Sequence, residues 1–182
     1  MEIKEITKND DIESIIEGIL FVAGEPVETS KIAQQLNIPE KDIEQAAKKL
    51  SDYYDINRRG IKLLRLDGKL QLCSRSDYAE YIRAVLQKKK KPVLSKAALE
   101  VLAIIAYRQP ATRAYIEHVR GVDSSGTVAA LEDKGLIEEC GRLEVPGRPL
   151  LYKTTDNFLR SFGLSELSEL PKLGDDDVNI PD

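Results

Sequence analysis

Few side chains in this 182-residue chain could carry covalent or acid–base chemistry, and none of them stand together. His118 is the single histidine. It follows Glu117 on an amphipathic helical pattern, with no second histidine to complete a metal cluster and no nucleophile spaced to use it as a base. Cys73 and Cys140 are far apart and neither belongs to a CxxC, so they read as two reduced, partly buried thiols. The stretch Gly121-Val122-Asp123-Ser124-Ser125-Gly126-Thr127 has the outline of a phosphate loop. It lacks the lysine that would reach the phosphates, and a helix rather than a strand precedes it. The chain therefore reads as a non-enzyme, with no catalytic residue, metal site or cofactor.

The remaining chemistry is that of recognition. Lys88, Lys89, Lys90 and Lys91 form a basic run, the best place for nucleic acid to touch; contact there would be non-specific, and a solvated linker is the plainer reading. The loop Val145-Pro146-Gly147-Arg148-Pro149 is stiff and carries one guanidinium, which suits a carboxylate or phosphate, or else merely shapes a turn. Arg108, Arg113 and Arg120 flank one short helix and suit an acidic partner or Glu117. Net charge is −4, but six acids against Lys172 from Ser165 onward give that end −5. The body is then about +1, too neutral for the broad positive field behind DNA affinity.

The elements that must position these groups repeat. Ile12, Ile15, Ile16, Ile19 and Ala23 recur at helical spacing and Gly24 stops the helix. Thr29 or Ser30 caps a second helix, and Pro39 opens a third with Ile43, Ala46, Ala47 and Leu50. Two β-like runs about Asp67-Gly68 form a hairpin, and a helix over 77–86 closes the unit. Ser95 then caps a helix that Gln109-Pro110 breaks. Thr112 caps the next, Asp123 the one after, and strands over 136–140 and 150–154 flank the Pro/Gly-rich loop. The halves align at an offset of 84, Pro26 on Pro110 and Ile32 on Ile116. This is a mainly α chain with small β-hairpin wings, an α+β class of two tandem winged helix-turn-helix domains. The boundaries read as a loose arm over 1–10, a first domain over 11–87, a basic linker over 88–93, a second domain over 94–164 and an acidic, disordered tail over 165–182.

Winged helices commonly read DNA, so a winged-helix transcriptional regulator is the competing reading. The third helices do not favour it: 123–134 offers Asp123, Glu132 and Asp133 against Lys134, and 39–50 balances acids with lysines. Surplus apolar surface points elsewhere. Phe21 falls opposite the face made by Ile12, Ile15, Ile16 and Ile19. On the matching helix, Leu99, Leu102, Ala103 and Ala106 make an inner face, and Val101, Ile104 and Ile105 cover the back. A helix apolar on both sides is buried on both, against a neighbouring domain or a second chain.

Leu94 to Pro110, with its run Leu-Ser-Lys-Ala-Ala-Leu-Glu-Val-Leu-Ala-Ile-Ile-Ala-Tyr-Arg-Gln-Pro, resembles the signature of the bacterial segregation and condensation protein B (ScpB) family. So do Ile19–Pro26, Arg120-Gly121-Val122-Asp123-Ser124, Val145–Tyr152 and Thr154–Leu159; the resemblance spans about Ile12 to Leu164. It implies a non-catalytic subunit of the condensin-like SMC–kleisin complex, acting in chromosome condensation and partition during cell division. It further implies a homodimer through the first domain, at Ile15, Ile19, Phe21 and Val22. The second domain would bind the kleisin ScpA, and through it the SMC ATPase, around Tyr107, Arg108, Gln109, Pro110, Thr112, Arg113, Arg120 and Asp123. Val101, Ile104, Ile105 and Arg148 join that set from the reading of the faces and the loop. DNA contact would be indirect or non-specific, and the setting cytoplasmic and nucleoid-associated, with no membrane segment or signal peptide in the sequence. Tyr115 departs from the pattern, standing where the family commonly carries an acid.

Overall fold

A computed structural model describes residues 11–87 and 93–172. The arm over 1–10, the basic run Lys88–Lys91 and the end of the chain from 173 lie outside the described residues. The chain divides into two compact units, Met1–Lys90 and Lys91–Asp182.

In the first unit the order is α1 (Ile12–Ala23), β1 (Val27–Glu28), α2 (Thr29–Leu36), α3 (Glu40–Ile56), β2 (Ile61–Leu66), β3 (Lys69–Ser74) and, after a 3-10 turn, α4 (Ala79–Leu86). Asp11 caps α1, its carboxylate accepting from the Glu13 N–H, and Gly24 ends it at φ 66°, a left-handed conformation that costs glycine nothing. β1, β3 and β2 form a three-stranded antiparallel sheet in that order, with β2 and β3 turning at Asp67-Gly68. Ile16, Leu20, Ile32, Ile43, Ala47, Leu50, Tyr54, Leu63 and Leu70 make the core. Each fully buried Ile or Leu contributes roughly 1.5–3 kcal/mol of transfer free energy. Two buried polar groups fasten helices to the sheet: the Thr29 hydroxyl donates to the Gly68 carbonyl (2.8 Å) and the Gln71 amide to the Gly24 carbonyl (3.0 Å).

The second unit repeats the order: α5 (Lys96–Arg108), β4 (Ala111–Thr112), α6 (Arg113–Arg120), α7 (Ser125–Asp133), β5 (Ile137–Arg142), β6 (Leu150–Thr154), then α8 (Asp156–Phe162) and a 3-10 turn at Leu167–Glu169. Its sheet runs β4-β6-β5, antiparallel throughout, with a register shift between Glu139 and Gly141. The chain is thus a mixed α/β protein of helices and two small antiparallel sheets.

Five expectations need correction. Glu28, not Thr29 or Ser30, stands at the α2 N-cap. Residues 165–172, expected in a disordered tail, carry the 3-10 turn Leu167–Glu169. The buried stripe of α1 is Ile16 and Leu20, with Ala23 exposed rather than inward. Ser124, not Asp123, stands at the α7 N-cap; the Asp123 carboxylate accepts instead from the Ser125 hydroxyl. Cys140 is exposed, because it lies at the register shift on an edge strand whose residues beyond Ile137 face solvent.

Candidate protein-binding surfaces

α5 begins at Ser95, whose hydroxyl accepts from the Ala98 N–H, and is apolar nearly all round. Of the expected inner face Leu102 and Ala106 are buried, but the expected back is buried too. Val101, Ile104 and Ile105 are 0, 7 and 0% exposed, buried with Ala98, Leu102 and Ala106. α6, α7, β4 and β6 all pack on this helix, enough neighbours to cover more than one side of it. The three residues are core and cannot touch a partner while the unit is folded. Leu99, 44% exposed, and Ala103, both expected inside, face out. With half-buried Tyr107 they trace one stripe at helical spacing, and exposed Pro110 follows beyond the helix end. Lys96 and Glu100, four apart and exposed, lie along that stripe and are the sequence signal that marks it.

The end of α5 is held by polar contacts. The Gln109 carbonyl oxygen accepts from the Thr154 N–H (2.7 Å) and hydroxyl (3.0 Å), tying the joint to β6 across a cis Gln109–Pro110 bond. Thr112 caps α6 by accepting from the Tyr115 N–H (3.2 Å). Arg120, 10% exposed, donates to the Ser124 hydroxyl (2.8 Å) and pairs with Glu100 (3.2 Å). Gln109, Thr112 and Arg120 therefore hold the surface in shape. Arg113 is exposed and pairs weakly with Glu117 at 3.6 Å, and Asp123 is exposed. Arg108 is half-buried, and its Nε is enclosed without a partner among the described residues. Arg148, at the wing tip with φ 38°, pairs with Glu144. Its left-handed backbone is unusual for a residue with a Cβ, and the loop holds it through the Arg148 N–H to the Val145 carbonyl (2.9 Å). On α7, Gly126, Ala129 and Ala130 are exposed beside Glu132 and Asp133.

In the first unit Phe21 is 78% and Val22 84% exposed, while Ile15 and Ile19 are half-buried. Tyr81, Val85 and Leu86 on α4 are also exposed, a surface that the sequence reading passed over because this short helix had been read only as a closing element. Tyr54, buried, donates to a Glu17 carboxylate oxygen at 2.7 Å. Burial, and then that hydrogen bond, push its phenol well above the usual tyrosine range. Burial, and next the charges of Glu132 and Glu139, likewise raise Tyr152. Among the described residues no group of three His, Cys, Asp or Glu side chains could hold a metal ion, and no helix is long and apolar enough to cross a membrane.

Comparison with known proteins places the chain in a family. The family model described as segregation and condensation complex subunit ScpB matches residues 14–173. Segregation and condensation protein B of Clostridium acetobutylicum is 43% identical over 173 residues, 95% of this chain and 86% of its own. That of Ruminiclostridium cellulolyticum is 45% identical over 168 residues, 92 and 88% of the two chains. Among solved structures, ScpB from Mycobacterium tuberculosis is 29% identical at a TM-score of 0.41, covering 90% of this chain and 99% of that one. A dimer of the ScpB N-terminal domain complexed with a ScpA peptide is 28% identical at a TM-score of 0.38, over 40% of this chain and 91% of that one. The chain, matched over nearly its whole length, belongs to the segregation and condensation protein B family.

Proposed function

We propose that this protein is the non-catalytic subunit of a condensin-like SMC–kleisin complex, acting in chromosome condensation and partition. Its two units are read as winged helix-turn-helix domains, since each runs helix, short strand, two helices and a two-stranded wing. The first self-associates through α1 about Phe21 and Val22. The second binds the kleisin ScpA, and the SMC ATPase is engaged through that kleisin. With Val101, Ile104 and Ile105 in the core, the kleisin surface moves to the outer stripe Leu99, Ala103, Tyr107 and Pro110, with Arg108, Arg113, Asp123 and Arg148 as polar surroundings and Gln109, Thr112 and Arg120 as supports.

The observation that carries this reading is the solvent-facing apolar stripe of α5 in a member of this family. An amphipathic segment laid on such a stripe buries it with few polar groups to satisfy. The acids Glu132 and Asp133 on α7 and a body of about neutral charge do not suit a DNA backbone. In the full chain, Leu99→Glu is expected to weaken binding of the kleisin from the same organism at least tenfold by calorimetric titration, with the second unit still folded and its melt lowered by only about 4–8 °C. Wild-type affinity in that variant would remove α5 from the interface.

A further inference from the structure

After α8 the chain turns back on the unit that precedes it. Gly163 ends the helix at φ 72°, and the Leu164 N–H donates to the Leu159 carbonyl (2.9 Å). The next residues, Ser165 to Lys172, hold themselves in a turn. The Ser165 N–H donates to the Glu169 carboxylate (2.7 Å), the Glu169 N–H to the Glu166 carbonyl (3.2 Å) and the Leu170 N–H to the Leu167 carbonyl (3.1 Å). This turn reaches the far end of α5: the Tyr107 hydroxyl donates to the Pro171 carbonyl at 2.6 Å, a contact 64 residues apart in sequence. Leucines recur every third position, Leu164, Leu167 and Leu170, with acids Glu166 and Glu169 between them; Leu164 and Leu170 are half-buried. The neighbouring Arg108 keeps its enclosed Nε without a partner among the described residues.

We infer that Leu164–Lys172 is an internal strap lying on the Tyr107 end of the α5 stripe, and that it competes there with a partner polypeptide of like chemistry, one bearing leucines interleaved with acids. This deepens the kleisin reading and rests on it. A strap suited to displacement makes most of its bonds within itself and few to the body. Here the polar bond from the strap's last residues to α5 is the one from Tyr107, so the segment can detach without disturbing the core, which is the low-stability end of a folded domain. The strap's leucines match what the surface offers, an apolar stripe, and its acids lie at the end of α5 where Arg108 is half-buried with no Nε partner among the described residues. Competition lowers apparent affinity by the fraction of molecules with the strap released.

Deleting everything after Gly163 is the obvious variant but risks α8, so Leu170→Ser in the full chain is the sharper one. It removes half-buried apolar contact from the strap and leaves the α5 stripe intact. Hydrogen exchange across residues 164–172 should rise in Leu170→Ser, and calorimetric titration with the kleisin of the same organism should show about fivefold tighter binding, the factor that loss of a leucine's partial burial supplies. In the wild type, saturating kleisin should raise exchange across the same residues. If exchange there falls on binding, the segment is part of the interface and the competition is refuted. Equal kleisin affinity of Leu170→Ser and wild type, with exchange already raised, refutes the strap alone. No binding heat in either protein refutes the kleisin reading and takes the strap's role with it.

Discussion

Replacing Ile105 by glutamate separates a core residue from a contact residue. Ile105 is wholly buried on α5. Truncating a buried isoleucine costs about 2–5 kcal/mol through lost transfer and the cavity left behind. A glutamate there also brings a carboxyl group among Val101, Leu102 and their neighbours. An unsatisfied polar group in such a place costs about 1–3 kcal/mol more, even if it protonates first. A loss of roughly 3–8 kcal/mol compares with about 5–15 kcal/mol for a whole domain, so the second unit should be marginal or unfolded. Leu99→Glu, at a position 44% exposed, forfeits only partial burial, about 1 kcal/mol. Urea titration followed by circular dichroism reads the difference. Ile105→Glu should lose the second unit's transition or lower its midpoint by about 2 M, at slopes of about 2 kcal/mol per molar. Leu99→Glu should stay within about 0.5 M of wild type. An Ile105→Glu protein with a wild-type midpoint would show that the burial pattern of α5 is wrong, and with it the choice of its outer stripe.

Other consequences follow from single contacts. Phe21→Lys, on a side chain 78% exposed, should leave the melt unchanged and shift sedimentation toward monomer; a variant sedimenting like the parent would retire Phe21 from self-association. Gln109→Ala removes the acceptor for the Thr154 N–H and hydroxyl, so the second unit should lose about 1–3 kcal/mol in denaturant; a neutral result would mean that solvent satisfies Thr154 instead. Tyr54 has its folded phenol pKa raised above the unfolded value near 10, so its share of stability is complete below pH 10 and falls as pH rises beyond it. Tyr54→Phe should flatten that alkaline loss in melts taken from pH 9 to 11, whereas an identical slope would assign the loss to other groups.

Much of the architecture was readable because local signals agreed. Gly24 and Gly121 end helices in left-handed conformations, Ser95 and Thr112 cap helices with their hydroxyls, and Asp67-Gly68 turns a hairpin. The two-residue strands Val27–Glu28 and Ala111–Thr112 were not readable, since so short a run has no alternation; each exists only because a longer strand pairs with it. α8 and the turn after it were likewise missed: seven residues with Phe158 and Leu159 inside give too little periodicity to distinguish helix from loop. The failure at α5 has a different cause. Where a helix is apolar on all sides, periodicity cannot say which side faces the core. Its neighbours decide it: α6, α7, β4 and β6 cover Val101, Leu102, Ile104 and Ile105 with the small Ala98 and Ala106, and leave Leu99 and Ala103 outside.

The repeat itself contains the correction. β1 matches β4 and α2 matches α6 at the offset of 84 that the sequence suggests. The first helices do not keep that offset. Ile16 and Leu20, the buried pair of α1, correspond in burial to Val101 and Ile105 at an offset of 85. The joint explains the slip: Gly24, Glu25 and Pro26 separate α1 from β1, while only Gln109 and Pro110 separate α5 from β4. One residue turns a helix by about 100°, enough to exchange an inner stripe for an outer one. At the sequence offset Phe21 aligns with Ile105 and lends it a false outward face; at the structural offset Phe21 aligns with Ala106 and Gly18 with exposed Ala103. The shorter joint is also where the Gln109 side chain grips Thr154. Duplicated units with one core plan can thus present different stripes, Phe21 and Val22 in the first and Leu99, Ala103 and Tyr107 in the second. Inserting one glycine between Gln109 and Pro110 should therefore destabilise the second unit, by breaking the Gln109 anchor, while leaving the first unit's denaturation transition in place.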